Sequence, residues 1–152
     1  MRDAFGGLLS IIIIAIFLVI VEGILGLVVN YTKAFRMKNA VISNIERYEG
    51  LGCFASGDSD CRIKIQESAK SIGYAPLHEL HCPNNQDYAK IDDIYCVQQN
   101  NSVSGNNYIY SVVTQVDINI PIINKIMGLS FFQVHGDTRA IKKYDGNQVE
   151  TG

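Results

Sequence analysis

The stretch "NYTKAFRMKNAVISNIERYEG", residues 30–50, decides the fold, because it follows an apolar run and keeps a helical rhythm without being apolar itself. Ala34, Met37, Val41, Ile45 and Tyr48 recur at spacings of three, four, four and three, which is one stripe of a helix. Lys33, Arg36, Asn39, Asn44 and Arg47 fall elsewhere around it. No proline interrupts residues 1–75, and Gly50 and Gly52 supply a stop signal. The spacing predicts one continuous helix from about Leu8 to Glu49, roughly 60 Å long at 1.5 Å per residue. Residues 30–50 form its amphipathic extension, which has to bury one side.

Upstream, Leu8 to Val29 is a run of 22 residues whose only polar side chains are Ser10 and Glu22. At ~1.5 Å per residue it spans roughly 33 Å, about the thickness of one bilayer core. A cleavable signal has a shorter apolar region, about 7–15 residues, ending in small residues, and "VVNYTKAF" offers no such site. Residues 8–29 are therefore read as a retained transmembrane helix in contact with lipid, and residues 1–7 as a short N-terminal segment or leader. Inside "VIVEGILG" (19–26), Glu22 is a carboxylate at a depth where charge costs a few kcal/mol. The span holds no other charge, so a positive partner has to come from another molecule or from an amino terminus. Gly23 and Gly26 would let a neighbouring helix come close.

Downstream, residues 51–152 are read as a disulfide-bearing α+β head. Its four cysteines, Cys53, Cys61, Cys82 and Cys96, all lie after the membrane segment, in Gly-, Asn- and Asp-rich surroundings that suit two disulfides in an oxidising space. A local Cys53–Cys61 bridge is easy to close, but spacing alone leaves the connectivity open. Lys33, Arg36 and Lys38 pull the other way, since cations just after a span favour holding the downstream chain in the cytoplasm. The cysteines are given more weight, which places the head outside the cytoplasm. A short second helix is expected after Ser59 or Asp60 as its cap, with Ile65, Ala69 and Ile72 inward and Gly73 as its end.

The remainder has strand character. "HELHCPNN" (78–85) and "IDDIYCVQQ" (91–99) are short strand candidates. Tyr108 to Ile120 alternates apolar with polar positions Ser111, Gln115, Asp117 and Asn119, the pattern of a strand with one wet face. "IINKIMG" (122–128) reads as a short helical or irregular crossover and "LSFFQVHGDTRAIKK" (129–143) as one last long strand with a bulge or bend at Gly136. The fold class expected is thus α+β: a long N-terminal helix, one additional short helix, and a small antiparallel sheet covered by the amphipathic half of the long helix.

Composition narrows function. Beyond residue 30 the chain carries 12 basic and 13 acidic residues, so no phosphate-seeking field exists and nucleic acid is excluded as an expected partner. His78, His81, Cys82 and Cys96 make a two-His, two-Cys set, but their spacing fits no zinc module, and "HELHC" brings its second histidine one residue too early for the helical metalloprotease motif. No nucleophile elbow or glycine-rich phosphate loop is present. The expectation is no catalytic residue, no metal, no cofactor and no enzyme.

Taken together, "MRDAFGG" before "LLSIIIIAIFLVIVEG", then the amphipathic extension, then a cysteine-bearing sheet, resembles bacterial type IV pilin-like proteins, particularly the TadE-like proteins of tight-adherence pilus systems. The resemblance is one of layout over most of the chain. It implies a structural subunit of a pilus or pilus-like filament, homo-oligomeric or assembled with related pilin-like subunits, and active in adhesion. It also implies processing after Gly7 and an assembly role for a helix glutamate that meets a neighbour's amino terminus. The family's glutamate stands fifth after the cut. That position here is Ile12, and Glu22 is the fifteenth. The competing expectation is a single-pass accessory or receptor protein whose extracytoplasmic head binds a partner.

Overall fold

A computed structural model describes residues 2–54, 57, 59–83, 87–101, 105–118, 128, 130–144 and 148–149. Helix α1 runs without a break over Arg2–Arg47, six residues earlier at its start than the apolar run alone predicts. Its end is a Schellman motif: the Gly50 amide donates to the Ile45 carbonyl at 2.8 Å and the Glu49 amide to Glu46 at 3.4 Å. The left-handed residue that turns the chain is Glu49 (φ 50°), one position before the expected Gly50. Helix α2, Asp60–Ile72, closes the same way at Gly73, with the Tyr74 amide donating to the Ala69 carbonyl at 2.9 Å. Ser59 holds the extended backbone of an N-cap, but its hydroxyl turns away from the helix amides to the Gly52 carbonyl. Cys61, Ile65 and Ala69 are the buried face of α2.

Five antiparallel strands come next: β1 (Tyr88–Ile91), β2 (Tyr95–Asn101), β3 (Asn107–Asp117), β4 (Phe131–Asp137) and β5 (Ile141–Lys142). Their order is β1-β2-β3-β4, with β5 continuing along the β4 side of β3. Ala34, Met37, Val41 and Ile45 are fully buried and Tyr48 half-buried, so the stripe read from the sequence is the seam between α1 and the sheet. Across it lie Tyr95, Val97, Tyr110, Val112 and Val116, with the Phe54 ring 4.9 Å from that of Tyr110. The disulfides are Cys53–Cys61, closing the loop before α2, and Cys82–Cys96, with Cα atoms 5.0 Å and 5.6 Å apart.

Five strand expectations need correction. "HELHCPNN" is not a strand over its described part, 78–83; it is a strap laid across the far face of the sheet, fixed to β2 by Cys82–Cys96. "IDDIYCVQQ" is a strand from Tyr95 on, as part of β2, but Asp92–Ile94 before it are the turn of a hairpin that joins β2 to β1 at Ile91. Asp92 and Asp93 both take φ near +50° (51° and 54°), and the Ile94 amide closes on the Ile91 carbonyl at 3.0 Å. That is the turn geometry whose twist suits a two-residue hairpin, and aspartate tolerates it. Arg62 and Gln66 reach over from α2 to the Asp92 carboxylate, and the Arg62 guanidinium holds that carboxyl below the usual range. The last strand is broken at Thr138–Ala140, where two residues of β3 face three, and the Thr138 hydroxyl and amide bond to Tyr110 in the gap.

The fourth correction concerns the wet face of β3. Val112 through Ile118 are all buried, Gln115 and Asp117 included, because the strap covers them. Leu80, Cys96 and Val113 make a small second core there. Asn119, Ile120, residues 122–127 and most of the tail lie outside the described residues.

Gly136 is not a bulge; it pairs directly with Val112. The glycine has another effect. A Cβ there would stand 2.8 Å from Lys38 Cδ and 2.9 Å from Ile42 Cδ1, so the bare backbone leaves room for the ends of those two side chains where α1 crosses β4. Valine is a better strand former than glycine, and on propensity alone the exchange should stabilise. Gly136→Val is instead expected to destabilise the head by about 1–3 kcal/mol through overpacking. Chemical denaturation followed by near-ultraviolet circular dichroism checks the sign.

Candidate membrane and assembly surface

Before it meets the head, α1 stands as an open shaft. The large apolar side chains exposed between Leu8 and Val29 keep 49% to 69% of their surface open, and none of the most apolar window is buried. By length and composition this helix can cross a membrane. Gly7 lies within α1 with nothing within 4 Å of where its Cβ would be, and the same holds for Gly26.

Glu22 is exposed on this shaft. Counting at ~100° per residue, it lies about 120° around α1 from Ala34, away from the direction in which the head packs. Gly26, one turn further on, is exposed and lies about 40° from Glu22, and it falls within about 20° of the seam residue Met37. Gly23 falls within about 20° of Ala34 and is half-buried. The three residues grouped by sequence thus divide into a carboxylate off the seam, Glu22, and two glycines in line with it. Among the described residues Glu22 makes no ion pair.

Where the apolar run ends, the head grips α1 through polar groups that sequence reading passed over. Strand β2 reaches β3 only as far as the Cys96–Val113 pair. Beyond it, the backbone of Gln115 and Asp117 would face that side unpaired. Tyr74, in the segment that leads from α2 into the strap, fills the gap. Its hydroxyl donates to the Gln115 carbonyl at 2.9 Å and accepts from the Gln115 amide at 3.0 Å, standing in for a strand residue. Asn30 does the same one step on, its Nδ2 donating to the Asp117 carbonyl at 3.2 Å. Thr114 Oγ1 donates to the Ala34 carbonyl at 3.1 Å, across the seam itself.

The Asp117 carboxylate, 5% exposed, accepts from the Leu77 amide and from Gln115 Nε2 at 2.9 Å, and lies 3.3 Å from His78 Nδ1. Gln115 Oε1 in turn accepts from the His81 amide at 3.0 Å. The His81 ring stacks on Phe131 at 4.8 Å. Cys82 and Cys96 are joined to each other, which removes both thiolates from the two-His, two-Cys set. On the other flank Tyr31 stacks between Phe35 and Phe132, with Lys38 Nζ 4.4 Å above the Phe35 ring. This aromatic cluster sits at the polar end of the apolar run, the level at which such rings gather on membrane proteins.

No protein-family model, curated protein or solved structure matches the chain.

Tyr74 generates two predictions. Tyr74→Phe leaves a buried amide and carbonyl without their partner and is expected to cost about 1–3 kcal/mol in a denaturant titration. Burial first, then the Asp117 charge, pushes the Tyr74 hydroxyl up to about 12, and burial raises Tyr95 and Tyr110 as well. A raised folded pKa favours the neutral phenol, so these contributions are complete below the ordinary value near 10 and are lost as pH climbs through the folded value. Absorbance at 295 nm should show these tyrosines ionising late, together with loss of the fold between about pH 10 and 12.

Proposed function

We propose that this chain is a structural subunit of a pilus or pilus-like filament, of the pilin-like or TadE-like kind, anchored and assembled through residues 8–29. The observation that carries the reading is a helix that is one continuous rod, buried on a single stripe in the head and open as an apolar shaft before it. Such a shaft is unstable in water and has to be covered by lipid or by other shafts. Packing against copies of itself or related subunits would transfer it from one apolar setting to another, with helix contact and polar pairing deciding the association. Glu22 and Gly26, both exposed and one turn apart, suit that contact: a small residue for close approach and a carboxylate for a neighbour's amine. The two disulfides agree with a head exported to an oxidising space. A second reading is favoured by the same exposure, since an apolar shaft is also what a single-pass accessory protein needs to hold a partner-binding head at the membrane. No catalytic role enters either reading.

Glu22→Ala is the separating test. In cells producing the chain, the variant is expected to fall at least tenfold in the sheared surface-fibre fraction while its head keeps both disulfides and its membrane level stays unchanged. Fibres in normal amount would remove the role given to Glu22. Absence of the unaltered chain from sheared fibres, with a monomer in detergent, would favour the accessory reading.

A further inference from the structure

Between α1 and the strap lies a cavity of about 280 Å³. Asn30, Lys33, Gly73, Tyr74, Leu77 and Asp117 are among its walls. Asn30 and Lys33 are the first turn after Val29, so with residues 8–29 in a bilayer the cavity opens at headgroup depth. Its two charges are opposite and sit on different elements. Lys33 comes from α1, and its Nζ lies 3.8 Å from where a Cβ on Gly73 would be. Among the described residues Lys33 makes no ion pair. Asp117 comes from the end of β3. It is a buried carboxylate whose described contact with a basic side chain is His78, half-exposed, at 3.3 Å. Leu77, 66% exposed, adds an apolar side chain at the same site.

A ligand for this site has to bring an anion for Lys33 and a cation for Asp117 within one small group. An ammonium next to Asp117 gains a charge-assisted hydrogen bond in a setting of reduced dielectric, and a phosphate gains the same from Lys33. A headgroup with a second negative charge or only hydroxyls would meet the Asp117 carboxylate without compensation. A quaternary ammonium has no proton to give and is bulkier. We propose that this cavity binds the phosphoethanolamine headgroup of a phospholipid, phosphate against Lys33 and primary ammonium against Asp117, with Leu77 against the lipid beneath. The inference rests on the membrane reading of residues 8–29 and deepens it: the head docks on the bilayer surface through a lipid of chosen headgroup, which sets its orientation on the shaft.

The test uses the full-length protein in detergent micelles, given equal amounts of phosphatidylethanolamine, phosphatidylcholine and phosphatidylglycerol with identical acyl chains, and read by native mass spectrometry. The expected result is a phosphatidylethanolamine adduct at least fivefold more abundant than either competitor, reduced to the phosphatidylcholine level by Asp117→Asn, with all three lipids retained less by Lys33→Ala and none affected by Arg36→Ala. Soluble O-phosphoethanolamine at millimolar concentration should displace part of it. Equal retention of the three lipids, a preference for phosphatidylglycerol, selectivity surviving in Asp117→Asn, or retention undiminished in Lys33→Ala would overturn the proposal. Binding of the soluble compound without lipid retention would overturn a lipid as its source. Flotation with phosphatidylcholine vesicles separates the two layers of inference. A chain that floats yet shows no headgroup preference sinks the cavity proposal alone, and a chain that does not float sinks the membrane reading with it.

Discussion

One rod serves two environments, and the rest of the molecule is arranged around that constraint. From Ala34 to Ile45 a single stripe of α1 is sealed against the sheet, while before Val29 the same helix offers apolar side chains on all sides. Nothing softens the passage between the two regimes: no proline interrupts it, and the helix continues through it. The head therefore cannot swing on a linker. Its attitude relative to the shaft is set by how Met37, Val41 and Ile45 seat on Tyr110, Val112 and Val116. Gly136 leaves room at that seating, since the ends of the Lys38 and Ile42 side chains lie over its bare backbone where the helix crosses β4.

The sheet is short of strands on one side, and the molecule resolves this with side chains. β2 reaches no further than Tyr95, leaving the Gln115–Asp117 end of β3 with backbone groups facing no neighbouring strand on that side. Tyr74 and Asn30 occupy those positions, one from the segment after α2 and one from α1. Buried amides and carbonyls without partners cost more than most single contacts return, so this region depends on both residues being in place. The same arrangement brings Lys33 and Asp117 to one cavity. A charged site arises at the helix exit because the strap must cover β3 and because β3 carries polar residues on the covered face.

Legibility in the sequence tracked the distance over which a residue's role is decided. The stripe Ala34, Met37, Val41, Ile45 and Tyr48 was readable because helix periodicity is local, and so were α2 with Gly73 as its stop and the alternation of β3. Gln115 and Asp117 were misread as a wet face because alternation reports which side a residue is on, never what covers that side. The Asp92–Asp93 turn was missed because two aspartates inside an apolar run look like the polar positions of a strand, whereas their left-handed backbone is what makes a hairpin. Glu22, Gly23 and Gly26 are neighbours in sequence but not on one face, a matter of helix phase that spacing could have resolved.

By itself the sequence determined the elements whose causes are short-range: a long helix with an apolar first half, a seam at helical spacing, a cysteine-bearing α+β head. Only the tertiary structure decided the pairing Cys82–Cys96, the strap over β3, the close crossing at Gly136 and the meeting of Lys33 with Asp117 in one cavity. Each of these joins separate elements of the fold, and what brings them together is the need to bury the second face of a strand and to satisfy its backbone. That need exists only once the sheet has formed, so no local pattern could announce it.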